Sequence, residues 1–169
     1  TEYTSNAHRG DYKTSLKVDT EYELARNKVQ EFINAKSRKE VVFTSGATES
    51  LNYIATGFFS NILEPGDEIL ITKSEHASNV LPWFRLAREL NLEVNYIPLD
   101  NNYYVTVENV LKSITPKTKV IALAQVTNVI GDLRPIKKIA HIAHERGIFL
   151  VVDGAQSVGH TSVDVKYLD

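Results

Sequence analysis

Residues 148–157 read IFLVVDGAQS, and this stretch decides the fold. The apolar run from Ile148 to Val152 is continuous and short, which is typical of a strand buried on both faces of a parallel sheet. Asp153 and the small residues after it stand at the carboxyl end of that strand. Open α/β sheets bind ligands outside the carboxyl ends of their strands. The stretch therefore predicts a parallel strand whose end contributes to a binding site.

The same order of apolar strand, polar residues and helix occurs three more times along the chain. The apolar segments, each with the polar residues that follow, are Val41–Phe43 with Thr48, Ile69–Ile71 with Ser74–His76, and Val120–Val126 with Asn128. Because parallel strands end at one edge of their sheet, we expect Thr48, His76, Asn128 and Asp153 to meet there.

Apolar periodicity and turn residues predict where the elements begin and end. Helices are predicted over residues 20–35, 48–60, 82–90, 106–113 and 135–147, and strands over 40–44, 68–72, 92–98, 119–125 and 148–152. The first helix is predicted to begin at Thr20, since Thr20 and Glu23 match a capping box. Trp83 and Phe84 are predicted to pack in the core. Strands that alternate with helices indicate βαβ units, so we expect an α/β fold with three αβα layers and a mostly parallel sheet.

Composition limits the possible classes of function. A chain of 169 residues can bury one sizeable core, so one domain is expected. The net charge of −2 gives no electrostatic reason to expect nucleic acid, and no apolar stretch approaches the roughly 20 residues of a membrane helix, so no membrane association is expected. The absence of cysteine excludes a disulfide or a thiol nucleophile within these residues and is compatible with a cytoplasmic protein. The absence of methionine and the start at Thr1 predict a piece of a longer product, although removal of an initiator methionine would also explain that start.

The segment Gly46-Ala47-Thr48 is a candidate phosphate site. It opens a predicted helix, where unpaired backbone N–H groups and the helix dipole favour an anion, and the Thr48 hydroxyl adds a donor. An ordinary helix start is the alternative, because Ser, Thr and Gly are common there in any case. The chain has neither a Walker lysine after this segment nor a G-x-G-x-x-G motif, so a nucleotide loop of either type is excluded.

The other polar candidates are ambiguous when each is taken alone. Asp153 could cap the following turn, hold a metal or pair with a cationic ligand atom. His76 could be a surface histidine, and His141 with His144 fits a solvated helix face better than a metal site, because no third ligand accompanies the pair. We therefore predict no metal site.

Five motifs, in order along the whole chain, resemble the class V aminotransferases, which belong to the fold-type I pyridoxal phosphate enzymes. The resemblance is closest to the group II cysteine desulfurases and selenocysteine lyases. The motifs are Asn6–Gly10, Ser45–Glu49, Ser74–Trp83, Val126–Gly131 and Val152–Ser157. The resemblance implies the large, cofactor-binding domain of such an enzyme, present here in part over residues 1–169.

The resemblance also implies a role for each candidate residue around pyridoxal 5′-phosphate. Ala47 and Thr48 would hold the phosphate, and Asp153 would keep the pyridine nitrogen protonated, which makes the ring a better electron sink. His76 would lie against the ring as a candidate for catalytic proton transfer. The remaining ring contacts would be Asn128 beside the ring near O3′ and the substrate, Ala155 on the face opposite His76, and Gln156 at O3′.

The chain departs from the family pattern in what it lacks. The Schiff-base lysine of this family lies in a Ser-x-His-Lys motif beyond the aspartate, and Lys166 is too close to Asp153 to be that residue. The nucleophilic cysteine and a substrate-binding arginine of the family also have no counterpart here. We therefore expect this chain alone to have no desulfurase activity.

The family further implies the substrate and partners of the parent enzyme. L-cysteine or L-selenocysteine would be the substrate, a sulfur-acceptor protein would feed iron–sulfur cluster assembly, and the enzyme would be a homodimer. His8 and Arg9 would lie near the dimer interface and the mouth of the site, with a charged surface loop as the alternative. Another class V enzyme, such as a transaminase or a kynureninase-like lyase, and a non-catalytic relative that binds a phosphate ligand remain as other possibilities.

Overall fold

A computed structural model describes residues 12–169 of the chain. These residues form two compact units, one of residues 12–43 with 163–166 and one of residues 44–162 with 167–169. The expectation of a single partial domain over residues 1–169 stays a prediction.

The first unit consists mainly of the long helix α1, Lys13–Phe32. A 3₁₀ turn, Arg38–Glu40, follows it. The backbone N–H of Val165 donates to the carbonyl of Ile33 at 2.9 Å, which ties the late segment of this unit to the end of α1. Helix α6, Val165–Leu168, begins at that point.

The second unit contains a sheet of four parallel strands. They are β1 Glu68–Ile71, β2 Glu93–Tyr96, β3 Thr118–Ala124 and β4 Phe149–Asp153. Their order in the sheet is β2-β1-β3-β4, and each neighbouring pair is parallel. This arrangement confirms the predicted α/β class and the four strands at 68–72, 92–98, 119–125 and 148–152.

Helices cover both faces of this sheet. They are α2 Ala47–Asn52, α3 Leu81–Leu90, α4 Val107–Ser113 and α5 Ile136–His144. Helix α2 continues as a π-helical segment, Tyr53–Phe58, and a 3₁₀ turn, Phe59–Asn61. Of the helices in the part of the chain that the structure describes, none is both long and apolar enough to cross a membrane.

Successive residues of the strands point alternately into two separate cores, one on each face of the sheet. The sheet and the helices on its two faces form the three predicted layers. On one face, Ile69 and Val120 pack with Trp83 of α3 and the helical segment that begins at α2. On the other face, Leu70 and Ile121 pack with residues of α4 and α5. The period of two along β1 and β3 therefore places their neighbouring side chains in different cores.

Four predictions for the first half of the chain differ from the structure. Helix α1 begins at Lys13 rather than Thr20, and the Thr20 hydroxyl donates to the Leu16 carbonyl inside the helix instead of capping it. Trp83 is buried as predicted, whereas Phe84 is 41% exposed because it packs against Tyr96, an exposed residue of β2 at the end of the strand order. The predicted strand at 40–44 does not form: within residues 12–169 no strand pairs with this segment, and an extended segment becomes a strand only with a partner.

The prediction that residues 148–152 are buried on both faces is also wrong. Phe149 is 46% exposed and Val152 36% exposed, although Val151 between them is buried. Strand β4 is the last in the order β2-β1-β3-β4, so only β3 flanks it in the described part of the chain. A continuous apolar run does not distinguish such an edge position from a central one.

Candidate functional site

A cavity of about 240 Å³ lies at the carboxyl ends of β3 and β4. All seven candidate residues that the structure describes line this cavity, although they come from four separate segments of the chain. Its lining residues are Ala47, Thr48, His76, Ser78, Ala124, Val126, Asn128, Asp153, Ala155 and Gln156. The fold therefore brings the predicted side chains together, while His8 and Arg9 lie outside the described residues.

Helix α2 begins at this cavity with a glycine that the backbone requires. Gly46 is the N-cap residue and has φ 155°, a conformation that residues with a side chain rarely adopt. The carboxylate of Glu49 accepts a hydrogen bond from the backbone N–H of Ser45 at 2.5 Å, which fixes the first turn. That hydrogen bond lowers the pKa of Glu49 below its usual value of 4.5. Ala47 and Thr48 are thereby held at the cavity edge in a fixed turn.

His76 enters the cavity from the segment after β1, where it caps a 3₁₀ turn, Ala77–Asn79. Its Nδ1 accepts a hydrogen bond from the backbone N–H of Ser78 at 3.2 Å. Because Nδ1 acts as an acceptor there, the single ring proton of the neutral imidazole lies on Nε2. His76 in this form offers a proton donor at Nε2.

Ser78 is a cavity residue that the sequence analysis missed. Its Oγ lies 3.1 Å from Nδ1 of His76 and 2.7 Å from Oγ1 of Thr48. The hydroxyl thus links the histidine to the first turn of α2. No local pattern signals this role, because it depends on side-chain contacts with His76 and with the distant Thr48.

Asp153 closes strand β4 and is 7% exposed. Its Oδ1 accepts a hydrogen bond from the backbone N–H of Ala155 at 2.9 Å. The aspartate therefore does cap the following turn, which was one of the interpretations of the sequence, and it also lines the cavity. Gly154 fits this tight turn because a Cβ there would stand 3.2 Å from Cγ2 of Val158.

Asn128 lies at the tip of the loop that follows β3 and is exposed. Val126 and Leu133 form an antiparallel bridge that closes the loop at its base. The backbone N–H of Asp132 donates to Oγ1 of Thr127 at 3.0 Å, which braces the loop from within. A larger cavity, of about 940 Å³, shares His76 and Asn128 with the first.

Glu75 and Arg134 form a buried ion pair that no sequence pattern indicated. Their side chains are fully buried beneath the loops that carry His76 and Asn128. These residues are 59 positions apart, and neither lies in a pattern that indicates pairing.

Metal binding finds no support among the described residues. They contain no group of three histidine, cysteine, aspartate or glutamate side chains placed to hold a metal ion. His141 lies 3.3 Å from Glu145 and His144 lies 3.2 Å from Asp169, and both imidazoles are largely exposed. The predicted solvated helix face is confirmed.

The sequence profile of the family "Aminotransferase class-V" matches residues 1–169. A probable cysteine desulfurase of Halalkalibacterium halodurans is 42% identical over 98% of this chain and 41% of its own length. A cysteine desulfurase of Serratia proteamaculans is 40% identical over 96% of this chain and 40% of its own length.

Two solved structures share the fold. The cysteine desulfurase CsdA of Escherichia coli superposes with a TM-score of 0.87 at 35% identity, over 98% of this chain and 41% of its own. The apo cysteine desulfurase of Thermococcus onnurineus NA1 gives a TM-score of 0.90 at 38% identity, over 97% of this chain and 40% of its own. The chain thus spans about two fifths of the length of these relatives. On the match over residues 1–169, the chain belongs to the class V aminotransferase family.

Proposed function

We propose that this chain is part of a pyridoxal 5′-phosphate-dependent cysteine desulfurase, which converts L-cysteine to L-alanine and leaves the sulfur on an enzyme thiol. The observation that carries the proposal is the cavity in which Thr48, His76, Asn128 and Asp153 converge from four segments. Enzymes of the class V aminotransferase family work with this cofactor. The relatives at 42% and 40% identity are named as cysteine desulfurases or probable ones, which supports the choice of substrate.

The residues at the cavity fit the cofactor chemically. Thr48 offers a hydroxyl and Ala47 a backbone N–H in the first turn of α2, which suit the phosphate. Asp153 offers a carboxylate that is 7% exposed and suits a protonated pyridine nitrogen. When bound there, pyridoxal phosphate supplies an electron sink for negative charge at the substrate Cα.

The remaining side chains act on the ring and the substrate. The neutral ring of His76 carries its proton on Nε2, because Nδ1 accepts from Ser78, and so presents a hydrogen-bond donor to the ring and the substrate. Ala155 and Gln156 follow Asp153 in the same turn and would contact the ring and its O3′. Asn128 would lie beside the ring near the substrate.

Other groups of the reaction come from outside these residues. The chain contains no cysteine, so the thiol that receives sulfur belongs to another part of the parent enzyme or to a partner. The lysine that forms the Schiff base and the arginine that binds the substrate carboxylate are likewise expected in other parts of the parent enzyme. His8 and Arg9 of this chain are expected at the mouth of the site. We propose that the 169-residue chain alone forms no alanine from L-cysteine.

We further propose a physiological setting for the parent enzyme. It is a cytoplasmic homodimer that accepts L-cysteine or L-selenocysteine and passes sulfur to an acceptor protein for iron–sulfur clusters. The apolar side chains exposed on β4, such as Phe149, are consistent with a longer chain, because the rest of the enzyme would cover them.

The deciding experiment compares the parent enzyme with its Asp153→Asn variant. The purified parent enzyme is expected to bind added pyridoxal phosphate with a new absorbance band and to release alanine from L-cysteine. The variant keeps an oxygen that caps Ala155 but lacks the charge, so it should fold normally and lose alanine release. Turnover of other amino acids without any from L-cysteine would refute the proposed substrate, and absence of cofactor binding would refute the proposal altogether.

A further inference from the structure

The ion pair between Glu75 and Arg134 lies beneath the proposed cofactor site, and its side chains do not line the 240 Å³ cavity. Both side chains are fully buried. Glu75 immediately precedes His76, and Arg134 ends the loop that carries Asn128. The pair therefore joins the two loops that bring these cavity residues to the site.

Glu75 is hydrogen-bonded through both carboxylate oxygens. Oγ1 of Thr72 donates to Oε1 at 2.8 Å, and Arg134 donates to the same oxygen. Nδ2 of Asn79 donates to Oε2 at 2.9 Å, and the backbone N–H of Ala124 donates to it at 2.7 Å. A carboxylate with these donors is fixed in position at the junction of β1, β3 and the turn after His76.

Arg134 is held through both of its terminal nitrogens. Its Nη2 donates to Oγ of Ser74 at 2.8 Å and to Oγ1 of Thr72 at 3.1 Å. Its Nη1 also donates to the carbonyl of Ala124 at 3.3 Å. Nε lies 3.5 Å from Oδ2 of Asp132, and within residues 12–169 it has no hydrogen-bond partner. The guanidinium thus spans from the segment after β1 to both ends of the loop after β3.

Stability alone does not account for such a pair. Taking two charges out of water is costly, and well-packed apolar side chains of similar volume often stabilise a protein as well or better. The charged pair adds a defined geometry, because the planar guanidinium bonds to several partners at fixed angles.

We propose that Glu75 and Arg134 are positioning residues that fix His76 and Asn128 relative to each other across the cavity. The expected effect on cofactor binding rests on the proposed function, because the two loops carry His76 and Asn128, which would contact the cofactor. Neither residue of the pair lines the 240 Å³ cavity, although Glu75 is among the residues that border the larger cavity of about 940 Å³. Displacing reacting groups by even about 1 Å has large effects on the interactions of such sites.

The test uses the purified parent enzyme with three variants. Glu75→Gln leaves Arg134 with Asp132 as its only carboxylate partner, 3.5 Å from Nε. The combined variant Glu75→Met, Arg134→Met and Asp132→Asn removes all three buried charges, and Arg134→Lys keeps the charge but loses the spread of donors. Glu108→Gln is the matched control, because Glu108 makes an exposed ion pair with Lys112.

Two readouts separate positioning from stability. One is the dissociation constant of added pyridoxal phosphate. The other is the ring ¹⁵N spectrum of His76 in the cofactor-free enzyme, with His141 and His144 as internal references. The melting temperature is measured in parallel.

We expect the combined variant to recover most of the melting temperature that Glu75→Gln loses, because it leaves no buried charge without a partner. Its cofactor should still bind at least about tenfold more weakly than in the unmodified enzyme, and the His76 signals should shift while the reference signals do not. Arg134→Lys should fold and show the same two changes, so it carries the test if the other variants do not fold. The inference is overturned if the combined variant or Arg134→Lys folds and leaves both the His76 signals and the cofactor affinity unchanged. If the unmodified enzyme binds no pyridoxal phosphate, the proposed function fails, and the His76 spectrum alone then decides the positioning role.

Discussion

Replacing His76 separates its two roles, the cap of the turn and the proton donor. Nδ1 accepts from the backbone N–H of Ser78 at 3.2 Å, and Nε2 carries the proton. Asparagine places an acceptor close to the position of Nδ1 but has no group at Nε2. Glutamine places an amide N–H near Nε2 but lacks the cap, and alanine lacks both.

The stability effect follows from the cap. Loss of a side-chain cap costs about 0.5–2 kcal/mol, and the short 3₁₀ turn that His76 begins places this cap near the lower value. For a protein of this size, 1 kcal/mol corresponds to about 2–4 °C in melting temperature. We therefore expect His76→Ala and His76→Gln to melt about 1–3 °C lower, and His76→Asn to melt within about 1 °C of the unmodified protein.

The activity effect follows from the proton on Nε2. One positioned hydrogen-bond donor contributes about 10²- to 10³-fold to a rate, so His76→Ala and His76→Asn should lose about that much alanine formation. His76→Gln should be the most active of the three, since a weak donor remains.

Thermal unfolding of the 169-residue chain tests the first effect and alanine release by the parent enzyme tests the second. Ser113→Ala serves as a control because the Ser113 hydroxyl bonds only within α4 and lies outside the cavity lining. The reasoning is refuted if His76→Asn melts as low as His76→Ala, or if His76→Asn is more active than His76→Gln.

Three further predictions concern other parts of the chain. Glu49→Gln should lower the free energy of unfolding at pH 7, and because the folded pKa of Glu49 is depressed, its stabilisation is present above pH 4.5 and lost as the pH falls through that folded pKa, so the difference between the two proteins in urea unfolding should shrink steadily below pH 4.5. Asp153→Ala should weaken pyridoxal phosphate binding at least about tenfold in an absorbance titration, and should also lower the melting temperature, since it loses the bond to Ala155 that Asp153→Asn retains; equal affinities of both variants and the unmodified protein would contradict the assigned contact. Leu123→Ala removes a fully buried side chain from the core between the sheet and α5 and should cost about 2–5 kcal/mol in urea unfolding, whereas a loss below about 1 kcal/mol would mean that this core is loosely packed.

Local signals in the sequence were sufficient for the central part of the fold. Ile69–Ile71 and Val120–Ala124 are buried on both faces, so continuous apolar runs correctly predicted β1 and most of β3. Gly147, with φ 66°, has the left-handed conformation typical of a helix C-terminus and lies close to the observed end of α5, at the predicted end of that helix.

Features that depend on distant partners could not be predicted in this way. The segment Val41–Phe43 has the composition of a strand, but pairing decides whether a strand forms, and composition carries no information about a partner. Phe149 has the same local character as a central strand residue, and only the strand order shows that it lies at an edge.

The candidate site also contains some features that local sequence predicts and others that depend on distant partners. Thr48, His76, Asn128 and Asp153 could be grouped from the sequence because parallel strands bring their ends to one edge, although the segment before Thr48 turned out not to be a strand. The bonds of Ser78 depend on the rotamers of two neighbours. The pair of Glu75 with Arg134 depends on how two loops fold over the sheet, which no local pattern encodes.

The strand order also fixes when the cavity can exist during synthesis and folding. β3 pairs with β1, about 50 residues earlier, and β4 pairs Asp153 with Ala124. Contacts of such long sequence separation form late and slowly. A nascent chain on the ribosome therefore cannot assemble the aspartate side of the cavity until the turn with Ala155 and Gln156 has emerged and β4 has joined the sheet. We expect cofactor capture to follow the docking of β4, so that a loaded site reports that β4 has joined β3.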